Sequence, residues 1–228
     1  MLCSTILVLA VSASSAYSLV HGVDNSAPVD NRTYSKAIGD GFTHLVIRGY
    51  EQACSSGGQV DPNFPSSYHN ARAAGYNSTE IDVYWFPCTG TNNPCKFYSE
   101  QLAELGAMLH ANQTEIGRIW LYIENDPSCG TWDYGADGNV HEAMAIIAAL
   151  RNETYNFGIY SSPGEWETIF GSQHVVLDSS IPLWFATYDG DDSSLTLSSP
   201  FGGWRTGKGK QYRGRSASGV FNLDIFAS

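Results

Sequence analysis

Short apolar runs of strand type alternate with runs of helical periodicity along most of this chain, and that alternation limits the folds open to it. The strand-like runs are Gly22–Asp24, His44–Tyr50, Glu80–Phe86, Arg118–Glu124, Asn156–Ser161, Leu183–Tyr188, Lys210–Arg213 and Val220–Phe226. Helical runs at Thr33–Ile38, Phe64–Ala74, Ser99–His110 and Val140–Arg151 separate the first five. A helix between consecutive strands lets them lie parallel, so the pattern reads as α/β with a parallel sheet. Eight strands of this kind would close a barrel. A further helix is expected at about Gly164–Phe170, but from Ile181 onward Gly, Ser and Pro break the pattern. The last strands should therefore connect through hairpins or loops. The expected fold is a modified, flattened barrel of eight strands and about five helices, with an open doubly wound sheet as the alternative.

The 228 residues show no linker, repeat or low-complexity segment, which points to one domain over residues 21–228. Residues 1–20 carry no charge and contain the run Ile6-Leu7-Val8-Leu9-Ala10-Val11 followed by Ser12-Ala13-Ser14-Ser15-Ala16, the pattern of a secretory leader cleaved after Ala16 or Ser18. No other stretch is long and apolar enough for a membrane span. Acceptor sequons at Asn31, Asn77, Asn112 and Asn152 agree with secretion. The destination is thus extracellular, or a lysosomal or phagosomal lumen. Removing the leader removes Cys3 and leaves Cys54, Cys88, Cys95 and Cys129, an even set suited to two disulfides. Cys88 with Cys95 forms the natural short loop and leaves Cys54 with Cys129; the other two pairings stay open. A zinc site is disfavoured, because the spacings contain no paired C-x-x-C and no His lies near Cys88 and Cys95.

Twelve Lys and Arg against 23 Asp and Glu give a formal charge of -11, which argues against nucleic acid as a partner. Ten Phe, 13 Tyr and 6 Trp supply instead the flat apolar faces on which sugar rings stack. Asp24, Arg48, Tyr50, Tyr84, Phe86, Glu124, Tyr160, Trp184 and Tyr188 all fall in strand runs, and all but Trp184 in the later half, the end at which parallel barrels build their sites. Taken singly, Trp120, Phe86 and Phe157 read better as core. In Ile119-Trp120-Leu121-Tyr122-Ile123-Glu124 the alternation of a strand puts Trp120, Tyr122 and Glu124 on one face. Glu124, amid apolar neighbours, has the setting of a general acid. The competing reading for Glu124 is a solvated strand-end acid, and for Asp24 a helix cap.

The ordered series Gly22-Val23-Asp24, Arg48, Tyr84-Trp85-Phe86-Pro87, Glu124, Gly158-Ile159-Tyr160, Pro182-Leu183-Trp184-Phe185-Ala186 and Asn222-Leu223-Asp224-Ile225-Phe226 resembles the Chalaropsis-type lysozymes, glycoside hydrolase family 25. The small secreted members from invertebrates and amoebae are the nearest in character. The resemblance runs from Gly22 to Phe226 and implies a flattened eight-stranded barrel. It also implies a substrate, the β-1,4 bond between N-acetylmuramic acid and N-acetylglucosamine in peptidoglycan.

The family pattern places an Asp at the first strand end, an Asp-x-Glu pair on the fourth strand and a further Asp near the last. Asp24 and Glu124 match and become the expected catalytic residues. Tyr122 stands where the pair has its Asp, and Asn222-Leu223-Asp224 exchanges the acid and amide of the closing motif. Expected substrate contacts are Tyr122, Arg48, Tyr84, Phe86, Tyr160, Trp184, Tyr188, Asn222 and Asp224. Two readings follow: a secreted lysozyme in which Asp24 and Glu124 suffice, or a lysozyme-fold carbohydrate-binding protein weakened by Tyr122. Neither needs a metal or nucleotide cofactor, and a monomer is expected.

Overall fold

The computed structural model describes residues 18–215 and 219–228. The expected leader lies outside the described residues except for Ser18, Leu19 and Val20, and the latter two open the first strand. In chain order the elements are β1 (Leu19–Asn25), α1 (Asn31–Gly39), β2 (His44–Glu51), β3 (Gln59–Val60), α2 (Phe64–Ala74), β4 (Ile81–Trp85), α3 (Tyr98–Ala111), β5 (Ile119–Tyr122), α4 (Gly135–Arg151), β6 (Phe157–Ser161), α5 (Pro163–Phe170), β7 (Leu183–Ala186), β8 (Thr196–Phe201), β9 (Trp204–Thr206), β10 (Gly209–Arg213) and β11 (Asn222–Ala227).

Eight of these strands close a barrel in the order β1-β11-β10-β7-β6-β5-β4-β2, with β2 returning to β1. All neighbours run parallel except β11, which is antiparallel to both β1 and β10. The open-sheet alternative is thereby excluded. The five helices sit where the helical periodicity put them, and their starts have local causes: Asp30 accepts the Thr33 N–H at 2.8 Å ahead of α1, and Ser162 accepts the Glu165 N–H at 3.1 Å ahead of α5. Asp30, not Asp24, therefore caps the first helix. After α5 the remaining strands connect without helices among the described residues, as the Gly, Ser and Pro breakers foretold.

Several boundaries differ from the sequence reading. β5 stops at Tyr122, so Glu124 stands two residues beyond the strand, although the Ile123 N–H still bonds the Tyr160 carbonyl at 2.9 Å. β7 stops at Ala186 and leaves Tyr188 in the following loop. The two-residue β3 and the β8–β9 hairpin were not foreseen. In that hairpin a Ser- and Pro-bearing sequence masks a short alternation in which Leu197, Phe201 and Trp204 are buried.

Alternation along the barrel strands separates two apolar layers. Outward residues such as Val23, Leu45, Ile47, Val83, Ile119, Leu121 and Ile159 belong to the core shared with the helices. Inward residues Val46, Tyr84, Trp120, Tyr160, Trp184, Ala186 and Phe226 fill the barrel, with Phe86 and Tyr122 packed against them. So many rings fit inside because glycines face them. A Cβ on Gly158 would lie 2.3 Å from the Trp120 ring, and one on Gly209 would lie 2.4 Å from the Phe226 ring.

Candidate active site

Two ends of the barrel compete for the role of site. At the N-terminal strand ends a cavity of about 260 Å³ is lined by His44, Asp82, Arg118, Trp120 and Lys208. Its carboxylate is already engaged, since Asp82 Oδ2 accepts Trp120 Nε1–H at 2.8 Å and lies 3.1 Å from His44 Nε2. At the opposite end a cleft of about 310 Å³ is lined by Glu124, Tyr160, Ser162, Glu165, Ala186 and Tyr188. Here the strands β1, β5, β6 and β7 all finish, and here the acids are gathered.

Asp24, near the end of β1, is 5% exposed and pairs in register with Asn222 at the start of the antiparallel β11. Its carboxylate accepts Gln211 Nε2–H at 2.6 Å and Asn222 Nδ2–H at 3.0 Å. Burial pushes Asp24 up to about 6, while these two amides pull it back. Asp224, fully buried on the same face of β11, lies against Asp24, and burial together with that neighbouring charge raises its carboxyl far above the usual range. Trp184 Nε1–H donates to Asp224 Oδ1 at 2.9 Å, whereas Oδ2 is buried with no other donor. Two buried carboxyls in contact cannot both ionise, so Asp224 keeps the proton and donates it to an ionised Asp24.

Glu124 is half-buried at the cleft wall. Burial raises its carboxyl to about 7; the Tyr122 hydroxyl opposes the rise, and the charges of Glu165, Asp126 and Asp24 add to it, Glu165 foremost. The loop that carries Glu124 is fixed on both sides. Asn125 N–H donates to Glu165 Oε2 at 2.8 Å, Asp126 N–H donates to Thr131 Oγ1 at 2.7 Å, and Gln52 donates to the Asp126 carboxylate. The Cys54–Cys129 disulfide ties the same loop to the one after β2, and Cys88–Cys95 closes a short loop after β4.

A column of rings runs along the same part of the barrel. Tyr122 stacks on Tyr160 at 4.1 Å with planes 9° apart, and on Tyr84 at 4.8 Å, with Phe86 tilted against it at 5.0 Å. The Tyr160 hydroxyl donates to Gln211 Oε1 at 3.1 Å and the Tyr188 hydroxyl donates to the same atom at 2.6 Å. Gln211, 1% exposed, therefore joins two tyrosines to Asp24. Burial raises the Tyr122 phenol well above its ordinary range, so at neutral pH it is a neutral hydroxyl.

The expected contact residues divide by position. Tyr188 is 65% exposed and Glu124 is reachable from solvent, while Tyr122 and Phe86 are half-buried at the mouth. Trp184 and Asp224 are both 0% exposed, so as direct substrate contacts they are corrected: the indole fills the barrel and orders Asp224, which in turn orders Asp24. Tyr84 and Tyr160 are also buried and form the backing of the column. Arg48 is held by Asp61 at 2.7 Å and Glu51 at 3.0 Å, beside Tyr84, and Asn222 serves Asp24.

Sequence reasoning missed Gln211 and Glu165. Gln211 sits in the short polar run Lys210-Gln211-Tyr212-Arg213, where nothing marks an amide as buried. Glu165 was concealed by Ser162-Pro163-Gly164-Glu165, which reads as an ordinary helix start. Its position directly after a barrel strand was the available signal.

Known proteins similar to this chain agree with one another. The family model described as Lysozyme-like protein 1 matches residues 15–212. Probable GH family 25 lysozyme 2 of Dictyostelium discoideum is 34% identical over 208 residues, covering 91% of this chain and 90% of that protein. Probable GH family 25 lysozyme 4 of the same organism is 32% identical over 216 residues, covering 94% and 93%. Among solved structures, a muramidase from Acremonium alcalophilum superposes with a TM-score of 0.68 at 17% identity, covering 92% of this chain and 94% of that one. A family GH25 lysozyme from Aspergillus fumigatus does so with a TM-score of 0.64 at 21% identity, covering 92% and 95%. At these identities the two superpositions speak for the fold.

Proposed function

The chain belongs to the glycoside hydrolase family 25 lysozymes, and on that premise we propose that it is a secreted muramidase. It cleaves the β-1,4 bond between N-acetylmuramic acid and N-acetylglucosamine in bacterial peptidoglycan. Glu124 protonates the leaving glycosidic oxygen, and ionised Asp24 stabilises the positive charge that develops at the sugar. The observation that carries this reading is the placement of the two groups: Glu124 lines the open cleft beside Tyr160, Glu165 and Tyr188, whereas Asp24 is buried and held by Gln211 and Asn222. Burial raises the Glu124 carboxyl, as suits a proton donor, and the two amides favour the ionised form of Asp24.

Tyr188 and Phe86 at the mouth offer faces for the sugar rings. The protein enters the secretory pathway through a leader ahead of Leu19, carries glycans at its sequons and acts as a monomer in defence against bacteria or in their digestion. Asn31, Asn77 and Asn152 are exposed, and Asn112 is half-buried with its amide on the Met108 carbonyl.

A second reading, a peptidoglycan-binding protein with little turnover, rests on the neutral Tyr122 in place of an assisting acid. Dye release from purified peptidoglycan by the wild type, Glu124→Gln and Tyr122→Asp separates the two. Release by the wild type and its loss in Glu124→Gln supports the enzyme. No wild-type release, with release gained in Tyr122→Asp, supports the binder.

A further inference from the structure

We infer that Lys210 is a positioning residue for the substrate: its buried ammonium fastens the loop of residues 187–195 to the barrel and so holds Tyr188 at the cleft wall. This rests on the muramidase reading, in which Tyr188 offers a face to a sugar ring. Tyr188 lines the cleft that holds Glu124. It is 65% exposed, yet its hydroxyl donates to the buried Gln211 Oε1 at 2.6 Å, so the side chain is fixed at its tip and open along its body. A ring ordered before the sugar arrives lowers the entropy lost on binding.

The loop that carries this ring has no helix to support it. A helix ordinarily follows each strand of a parallel barrel. Among the described residues none follows β7, and residues 187–195 instead form an irregular segment bonded to β10. Thr187 N–H donates to the Gln211 carbonyl at 3.0 Å, and Gly190 N–H donates to the Tyr212 carbonyl at 3.1 Å. Lys210 supplies the charged tie. Its Nζ donates to the Asp191 carbonyl at 2.8 Å and lies 3.0 Å from Asp189 Oδ2 and 3.5 Å from Asp191 Oδ2. An ammonium carries three protons, and three oxygens of this one loop surround it. Alternation along β10 puts Lys210 and Gln211 on opposite faces, so adjacent residues hold the same element at two points: Gln211 takes the Tyr188 hydroxyl, and Lys210 takes the backbone beyond it.

Burial makes the dependence one-sided. The Lys210 side chain is 2% exposed, whereas those of Asp189 and Asp191 are 40% and 44% exposed. A buried ammonium without partners is costly, so the loop has to stay closed over a charged Lys210. With the ammonium gone, water can serve both carboxylates. The ties left near Tyr188 are then the two backbone bonds, its own hydroxyl and the surface contact of Asp192 with His21 at 3.1 Å. Lys210→Met keeps an apolar stem of similar length and removes the charge, so it loosens the loop without leaving an unpaired charge inside.

The test measures kcat and KM on soluble peptidoglycan fragments for wild type, Tyr188→Ala, Lys210→Met and the double variant. Asp189→Ser, alone and with Tyr188→Ala, is measured beside them and carries the test where Lys210→Met does not fold. In Lys210→Met, KM should rise roughly two- to tenfold, the worth of one ordered aromatic contact, with kcat within a few-fold. Tyr188→Ala should raise KM at least as much, and the double variant should be no worse than Tyr188→Ala, because Lys210 acts through that ring. Asp189→Ser should show the same pattern more weakly. An unchanged KM in Lys210→Met, or in Asp189→Ser where the former does not fold, overturns the proposal and leaves Lys210 a structural ion pair. An unchanged KM in Tyr188→Ala overturns it as well, as do additive effects in the double variant, since Lys210 would then not act through Tyr188. A fall in kcat at constant KM also overturns it and points to the neighbouring Gln211. Absence of cleavage by the wild type overturns the muramidase reading; dissociation constants of the same variants for the same fragments then decide on Lys210, and equal values for wild type and Lys210→Met overturn its role.

Discussion

Gln211 Nε2–H donates to Asp24 Oδ2 at 2.6 Å, joining residues 187 apart in the chain at the floor of the cleft. The same side chain accepts from Tyr160 and Tyr188, so one amide fixes an acid and two rings at once. In Gln211→Leu, Asp24 loses a charge-assisted donor, and the buried Tyr160 and exposed Tyr188 hydroxyls lose their acceptor. Stability should fall by about 1–3 kcal/mol, measured by urea unfolding, and kcat/KM on peptidoglycan by roughly ten- to a hundredfold. Because Gln211 holds the Asp24 carboxyl down, the acid limb of the activity profile should also move to higher pH.

The wild-type profile should be a narrow bell. Asp24 must be ionised, which requires pH above about 6, and Glu124 must be protonated, which requires pH below about 7. Rates of peptidoglycan solubilisation between pH 4 and 9 check this; a flat profile across pH 5–8 would contradict the assignment of both roles.

Stability should run the other way through the same window. Asp24 and Glu124 bind their protons more tightly in the folded than in the unfolded chain, where they titrate at 3.8 and 4.5. From about pH 4 to 7 the folded state thus holds more protons, and stability declines as pH rises until both have ionised. Asp126 and Asp178, held low chiefly by the Ser128 and Ser180 hydroxyls, act in the opposite sense and lose their contribution only below about pH 4. Melting temperatures should peak near pH 4–5, and Glu124→Gln should flatten the decline toward pH 7.

Tyr122→Phe isolates one hydroxyl within the ring column. The stacked face on Tyr160 is kept, while the group that pulls the Glu124 carboxyl down is lost. The alkaline limb should move above 7 with the maximum rate changed by less than about tenfold. A downward movement of that limb would show that Tyr122 does not act on Glu124.

The two disulfides should differ in worth. Cys54 and Cys129 are 75 residues apart, and Cys88 and Cys95 are 7 apart. In the chain-entropy account the long bridge is worth about 4 kcal/mol and the short one about 2 kcal/mol. Cys54→Ser with Cys129→Ser should therefore lower the unfolding midpoint more than the Cys88 and Cys95 pair does, and should also lower kcat, since the Glu124 loop loses a tether.

Much of the fold was readable because its cause is local. Helical periodicity at Phe64–Ala74 and apolar runs at Ile119–Tyr122 or Leu183–Ala186 state their own structure, and the lack of a helix after Phe170 stated the altered end of the barrel. Asp24 and Glu124 could be singled out as candidates because strand ends in such folds face the site. Which group would serve which was not readable. Trp184 was expected to meet substrate and instead orders Asp224, because the barrel lumen is filled by rings that glycines at 158 and 209 admit, and that filling depends on several strands together. Gln211 and Glu165 gain their importance only from partners 187 and 40 residues away, Asp24 and Asn125, a relation no local pattern encodes.

The antiparallel pairing of β11 with β1 has a consequence for how the molecule comes into being. Asp24 lies in the first strand, yet Gln211, Asn222 and Asp224, the residues that set its charge, lie in the last two. A ribosome delivers the acid first and its partners 187 or more residues later. During synthesis the nascent chain can form its strand and helix crossovers in turn, but the floor of the cleft stays unassembled until β11 emerges and slots between β1 and β10. A chain that has not yet reached β11 thus holds Asp24 without the side chains that govern its charge.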